Sequence, residues 1–134
     1  MRGAALGFVL GIMANTASAI PGLEPGVSRE LAQWRAKHYR DVRYALSISI
    51  PRGTQKLDGT ATIEVTLPAS RPDLVLDWRP SPRARLRQLR VNGKPARTRI
   101  QQEHLIVPAR FLRTGKNRVT FAFESPITPS GGAV

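Results

Sequence analysis

From Val42 onward the chain alternates. Val42, Tyr44, Leu46, Ile48 and Ile50 are large and apolar, while Arg43, Ala45, Ser47 and Ser49 between them are charged, small or hydroxylated. A period of two lines the apolar side chains along one face of an extended strand, whereas a helix at 3.6 residues per turn would scatter them. The spacing returns in Ala61, Ile63, Val65 and Leu67 against Thr60, Thr62, Glu64 and Thr66, and more briefly in Leu74, Leu76 and Trp78. Leu89 and Val91 lead into Asn92-Gly93, a pair that accepts positive φ at both central positions of a type I′ hairpin turn. Thr98 to Gln101 is therefore predicted as the return strand. Leu105 to Val107 follow, then Phe111 and Leu112 on a single helical turn, a turn at Gly115–Asn117, and a last strand through Val119, Phe121 and Phe123. About seven or more short strands separated by turn signals predict an all-β fold, an antiparallel β-sandwich.

One short N-terminal helix precedes the strands. Residues 20–27 are rich in Pro and Gly and read as an irregular leader. Ser28 is placed to cap a helix whose first turn holds Glu30 and whose far end holds Arg35, Lys37 and Arg40, as the helix dipole favours. Leu31, Trp34 and His38 share one face, so a helix of about ten residues from Arg29 is expected to dock through Leu31 and Trp34. The domain then spans residues 28–125, and 126–134 has the composition of a loop or truncated tail. That length suits a single domain with a modest core.

The first nineteen residues stand apart. Arg2, an apolar stretch from Ala4 to Met13 and the small residues Ala17-Ser18-Ala19 predict a cleaved signal peptide over 1–19, and hence an exported protein, periplasmic or secreted. The competing reading, a retained anchor, falls short of the ~20 apolar residues that span a bilayer. No later stretch is apolar enough to span one after signal cleavage. The chain contains no cysteine, so its core must hold through burial alone.

Candidate chemistry is sparse. A hydrolytic zinc centre takes three protein ligands and an open position, but the only histidines are His38 and His104, far apart, with no His-Glu-x-x-His pair. His38 reads as a helix-end residue and His104, after Glu103, as a solvated loop residue. Ser47 and Ser49 sit at outward strand positions without a nucleophile elbow. Asp41, Asp58, Glu64, Asp73, Asp77, Glu103 and Glu124 are scattered singly, so nothing favours a paired-carboxylate glycosidase site. Gly131-Gly132 lacks the residues of a phosphate loop. No catalytic, cofactor-binding or metal-binding residue is assigned. The net charge is +12, and eight cations with no anion lie between Arg79 and Arg99 (Arg79, Arg83, Arg85, Arg87, Arg90, Lys94, Arg97, Arg99). Such a stripe could meet a polyanion, an acidic partner domain or a membrane surface, or serve as a solvated face. Export and the lack of interleaved aromatics argue against nucleic acid.

A family likeness rests on several segments in order. Gly26 to Arg35 followed by Asp41 to Ser47 resembles the opening of bacterial aminopeptidase N-like zinc metallopeptidases, where a short helix precedes the first strand of an N-terminal β-sandwich. Gly59–Leu67, Leu74–Trp78, Val91–Lys94, Glu103–Pro108, Leu112 and Gly115–Asn117 continue the resemblance, which covers nearly all of 26–125. The Val-Asn-Gly and Leu-x-x-Gly-x-Asn pieces also resemble sandwich modules attached to glycoside hydrolases. The resemblance implies a zinc-dependent parent enzyme that removes N-terminal residues from peptide substrates. Its ligands would lie in a downstream catalytic domain missing from this chain, so no cofactor is implied here. It also implies a scaffold that, ending here, leaves a sheet edge and an apolar face uncovered. The runner-up is a stand-alone exported β-sandwich binding or accessory module.

Overall fold

The computed structural model describes residues 19–79, 81 and 83–127. The expected signal peptide, apart from Ala19, and the tail from Thr128 lie outside the described residues. Helix α1 spans Arg29–His38. Ser28 starts it, its hydroxyl accepting from the Leu31 amide at 3.1 Å, which satisfies one of the amides that a first turn leaves open. Eight strands follow: β1 (Arg40–Ser49), β2 (Lys56–Leu67), β3 (Leu74–Asp77), β4 (Arg85–Val91), β5 (Lys94–Pro95), β6 (Arg99–Gln101), β7 (His104–Val107) and β8 (Gly115–Pro126). They form a five-stranded sheet in the order β1-β2-β8-β4-β5 and a three-stranded sheet in the order β3-β7-β6. Every pairing is antiparallel, so the expected all-β sandwich with a short leading helix is the observed fold.

Alternation decides what meets in the middle. Ile63 and Val65 of β2, Val119 and Phe121 of β8, and Leu89 and Val91 of β4 face Leu74 and Leu76 of β3 and Leu105 and Val107 of β7 in one buried cluster. The opposite parity of the small sheet, Val75 and Ile106, packs under Leu31 and Trp34 of α1, with Ile20 and Leu23 of the leader at the margin. The order of layers is therefore helix, small sheet, large sheet.

Two expectations need correction. Asn92 and Gly93 do turn the chain, with φ of 51° and 82°, but the return strand is only Lys94–Pro95. Proline has no amide hydrogen to extend the ladder, and Arg99–Gln101 crosses to the other sheet to pair with β7. The second concerns β1, whose alternation is that of a half-buried strand. Every residue of β1 is exposed. Tyr44, Leu46 and Ile48 lie opposite Ile63, Ala61 and Gly59, so they point to the inner side, but the small sheet ends at β3 and leaves them bare.

A buried amide ties the two turns together. The Asn117 side chain accepts from the Arg113 amide at 2.9 Å and from Asn92 Nδ2 at 3.0 Å, and donates to the Arg113 and Gly115 carbonyls at 2.7 and 3.0 Å. Asn92 in turn accepts from the Arg118 amide. This network gives the Gly-x-Asn segment its physical meaning. Replacing Asn117 by alanine orphans several buried groups and is expected to cost about 2–4 kcal/mol in urea unfolding. Gly59 sits beneath the Phe123 ring, and a methyl group there would collide with Phe123 Cζ. Gly59→Ala is therefore expected to lower stability by about 1–3 kcal/mol through overpacking. Gly22→Ala, with nothing within 4 Å of the added carbon, should leave the unfolding midpoint unchanged.

Candidate functional site

Three places concentrate polar chemistry or unusual surface. The first lies under the leader. His104, expected in a solvated loop, is buried with 1% exposure on the first residue of β7. It shares parity with Ile106, so the same alternation that turns Ile106 toward α1 turns the imidazole inward. Extending the Leu105–Val107 pattern back by one residue would have revealed this. The Nδ1 atom lies 3.2 Å from Asp77 Oδ1 and Nε2 lies 3.0 Å from the Glu24 carbonyl oxygen. Arg35 of α1 grips the same Asp77 carboxylate with two nitrogens, at 2.7 and 3.1 Å. Beside them, Glu103 accepts from the Gly26 amide at 3.2 Å and pairs with Arg79 at 3.3 Å. Partial burial works against the charged form of Asp77, but the Arg35 hydrogen bonds and His104 outweigh it and hold its pKa below the ordinary value. The cluster staples leader, helix and small sheet together. Both imidazole nitrogens face oxygen acceptors, which leaves neither for a nucleophile or a metal ion.

His38 stays at the end of α1, its Nδ1 2.7 Å from the Trp34 carbonyl and its ring stacked on Trp34 at 4.5 Å. The two histidines do not converge, and among the described residues no group of three or more His, Cys, Asp or Glu could hold a metal ion. The donors among the described residues therefore do not make up the ligand set that the implied zinc would need.

The second place was missed from sequence. Asp58 and Glu124, taken as scattered, are directly opposite each other across β2 and β8, in a shallow groove with Ser47, Ser49, Thr60 and Arg87. Only the strand register brings them together. Glu124 is held below the usual glutamate pKa by its hydrogen bond with Lys56 at 3.0 Å and by Arg87 at 3.4 Å. A general acid needs the reverse, a carboxyl kept protonated near neutrality. Neither Ser47 nor Ser49 has a histidine on this face.

The basic run is divided by the fold. Arg85, Arg87 and Arg90 belong to β4 of the large sheet and Arg99 to β6 of the small one. Arg79, Arg87 and Arg99 pair with Glu103, Glu124 and Asp73. The continuous stripe of the sequence is thus broken up in space and partly neutralised.

The third place is the bare inner face of β1. Val42, Tyr44, Leu46, Ile48 and Ile50 are between 43% and 63% exposed. Val42 and Tyr44 border a groove whose other wall is Leu74 to Leu76 on the free edge of β3. Tyr39 closes one end of that edge: its hydroxyl donates to the Asp73 carbonyl and accepts from the Val75 amide, both at 2.8 Å. Burial pushes this hydroxyl's pKa well above its ordinary value. Of the three places, this is the one whose physical chemistry is left incomplete.

No protein-family model and no curated protein matches this chain.

A pH dependence follows from Asp77. Because its native pKa is depressed, its contribution to stability is complete above the ordinary carboxylate value of about 4 and is lost as pH falls through that value toward the lower native one. Asp77→Asn is expected to be less stable than wild type near neutrality. Its thermal midpoint should also fall less between about pH 6 and pH 2.5 than the wild-type midpoint does.

Proposed function

We propose that the chain is the non-catalytic N-terminal scaffold of an exported zinc-dependent aminopeptidase, packing through the inner face of β1 against polypeptide that carries the metal. The uncovered stripe of Val42, Tyr44, Leu46, Ile48 and Ile50 carries this reading. Monomeric soluble proteins rarely leave a contiguous apolar patch of more than a few hundred Å² facing water. Covering five such half-exposed side chains would contribute roughly 5–10 kcal/mol of transfer free energy. A neighbouring domain seated here is stabilised by burial and held at a fixed angle, which is what a scaffold beside a catalytic cleft must supply.

Two further observations support the assignment. The collinear resemblance from Gly26 to Ser125 includes the capped helix ahead of the first strand, and that helix docks through Leu31 and Trp34. In addition, several polar side chains are engaged in structural contacts. His104 and Asp77 tie down the leader, and Glu124 is engaged by Lys56 and Arg87. Peptide hydrolysis would be the work of the parent's catalytic domain, with this domain helping to wall its cleft.

The decisive observation is the reading frame beyond Val134. A His-Glu-x-x-His helix with a later glutamate is expected there, and an in-frame stop without one would replace this reading with that of a stand-alone accessory module. The purified chain should release no amino acid from a chromogenic aminoacyl amide, with or without added zinc. Zinc-dependent release by this chain would contradict a purely scaffolding role.

A further inference from the structure

We infer that, when no other polypeptide covers the inner face of β1, a second copy of this chain does so, forming a closed two-fold dimer. This goes beyond the scaffold reading and uses the same bare face, but it concerns the 134-residue chain by itself. The strand counts supply the argument. The large sheet has five strands and the small one three, so β1 overhangs the edge of β3, and only its Val42 and Tyr44 end is flanked by Arg35, Ala36 and Tyr39. A dyad running parallel to β1, midway between the two sheet planes, would place β1 of one copy over β1 of the other. Each overhang then becomes the missing strand of the facing layer. The large sheet of one copy continues toward the small sheet of its partner, past the β3 edge left open beyond Tyr39.

The same strand can satisfy both sides of such a contact. Its inner residues from Val42 to Ile48, with Ile50 just past its end, carry no charge, and Arg35, which lines the groove beside Val42 and Tyr44, is already paired with Asp77. Arg43 lies on the other parity and stays on the outer side. The arrangement is isologous, so it closes at two copies instead of growing into a ribbon. With the exposures observed, side-chain burial amounts to on the order of 400 Å² per copy. The total approaches the lower limit of about 1,000 Å² for specific association. That size predicts a weak, reversible dimer. Each copy also carries +12, and the mutual repulsion is screened by salt, so association should tighten as ionic strength rises.

Sedimentation velocity on the wild-type chain, from micromolar to near-millimolar concentration, tests this. A concentration-dependent shift from monomer to dimer is expected, stronger in ~0.5 M than in ~0.05 M NaCl. Leu46→Lys places a charge beside its own dyad mate and should weaken association by more than about tenfold. Because Leu46 is 63% exposed, an unchanged thermal midpoint and circular dichroism spectrum would show that the fold survives. Ser47→Lys, on the opposite parity, should leave dimerisation intact. A chain that remains monomeric at high salt and high concentration would overturn the inference. Species growing beyond two copies, or equal loss of association in Ser47→Lys and Leu46→Lys, would also overturn it, since both indicate edge-to-edge pairing. None of these outcomes bears on the reading frame or on the activity assay, so the scaffold reading stands or falls separately.

Discussion

Burial of the inward-facing side chains of β2, β8 and β4 against β3 and β7 holds every other part of this domain in place. There is no disulfide to share the task, because the chain has no cysteine. The cost of ordering the backbone must be offset by the transfer of side chains such as Ile63, Val119, Leu105 and Val107 out of water. The helix depends on this sandwich in turn. Ten residues are too few to be stable alone, and α1 persists because Leu31 and Trp34 close over Val75 and Ile106 on the back of the small sheet.

The same constraint explains where apolar surface is left bare. A sheet buries its inner face only as far as the opposite layer extends, and three strands do not reach across five. β2, β8 and β4 are covered, whereas β1 is held by its pairing with β2 alone. Its stripe keeps the composition of a core strand in the position of a surface one. Native edge strands are ordinarily protected by inward charges, prolines or brevity. The stretch from Val42 to Ile50 has none of these on its inner side. The proposed scaffold contact rests on this conflict between local sequence and local environment.

Three polar networks, in contrast, are engaged within the fold. Asn117 makes four hydrogen bonds around two turns. The Arg35, Asp77 and His104 series links helix, β3 and β7, and reaches the leader through Glu24. Tyr39 seals part of the β3 edge with its hydroxyl. In each network the removal of one member leaves its partners unpaired, although Arg35 Nε is buried without a hydrogen-bond partner among the described residues. Side chains that could have looked catalytic in isolation are thus committed to fixing the relative positions of the layers.

Period-two alternation and turn chemistry were enough to determine that this chain is β-rich, that it turns at Asn92-Gly93, that a capped helix comes first, and which residues of β2 and β8 face inward. These are local properties: φ preferences, capping and side-chain parity act within a few residues. The sequence alone did not reveal the opposition of Asp58 and Glu124, the burial of His104, the crossing of Arg99–Gln101 to the small sheet, or the division of the basic run. Each depends on register or on which strand stacks over which, and those are fixed by contacts between residues distant in the chain. The exposure of β1 is of the same kind. Its alternation is indistinguishable from that of β2, and only the width of the opposite sheet decides that one is core and the other is surface.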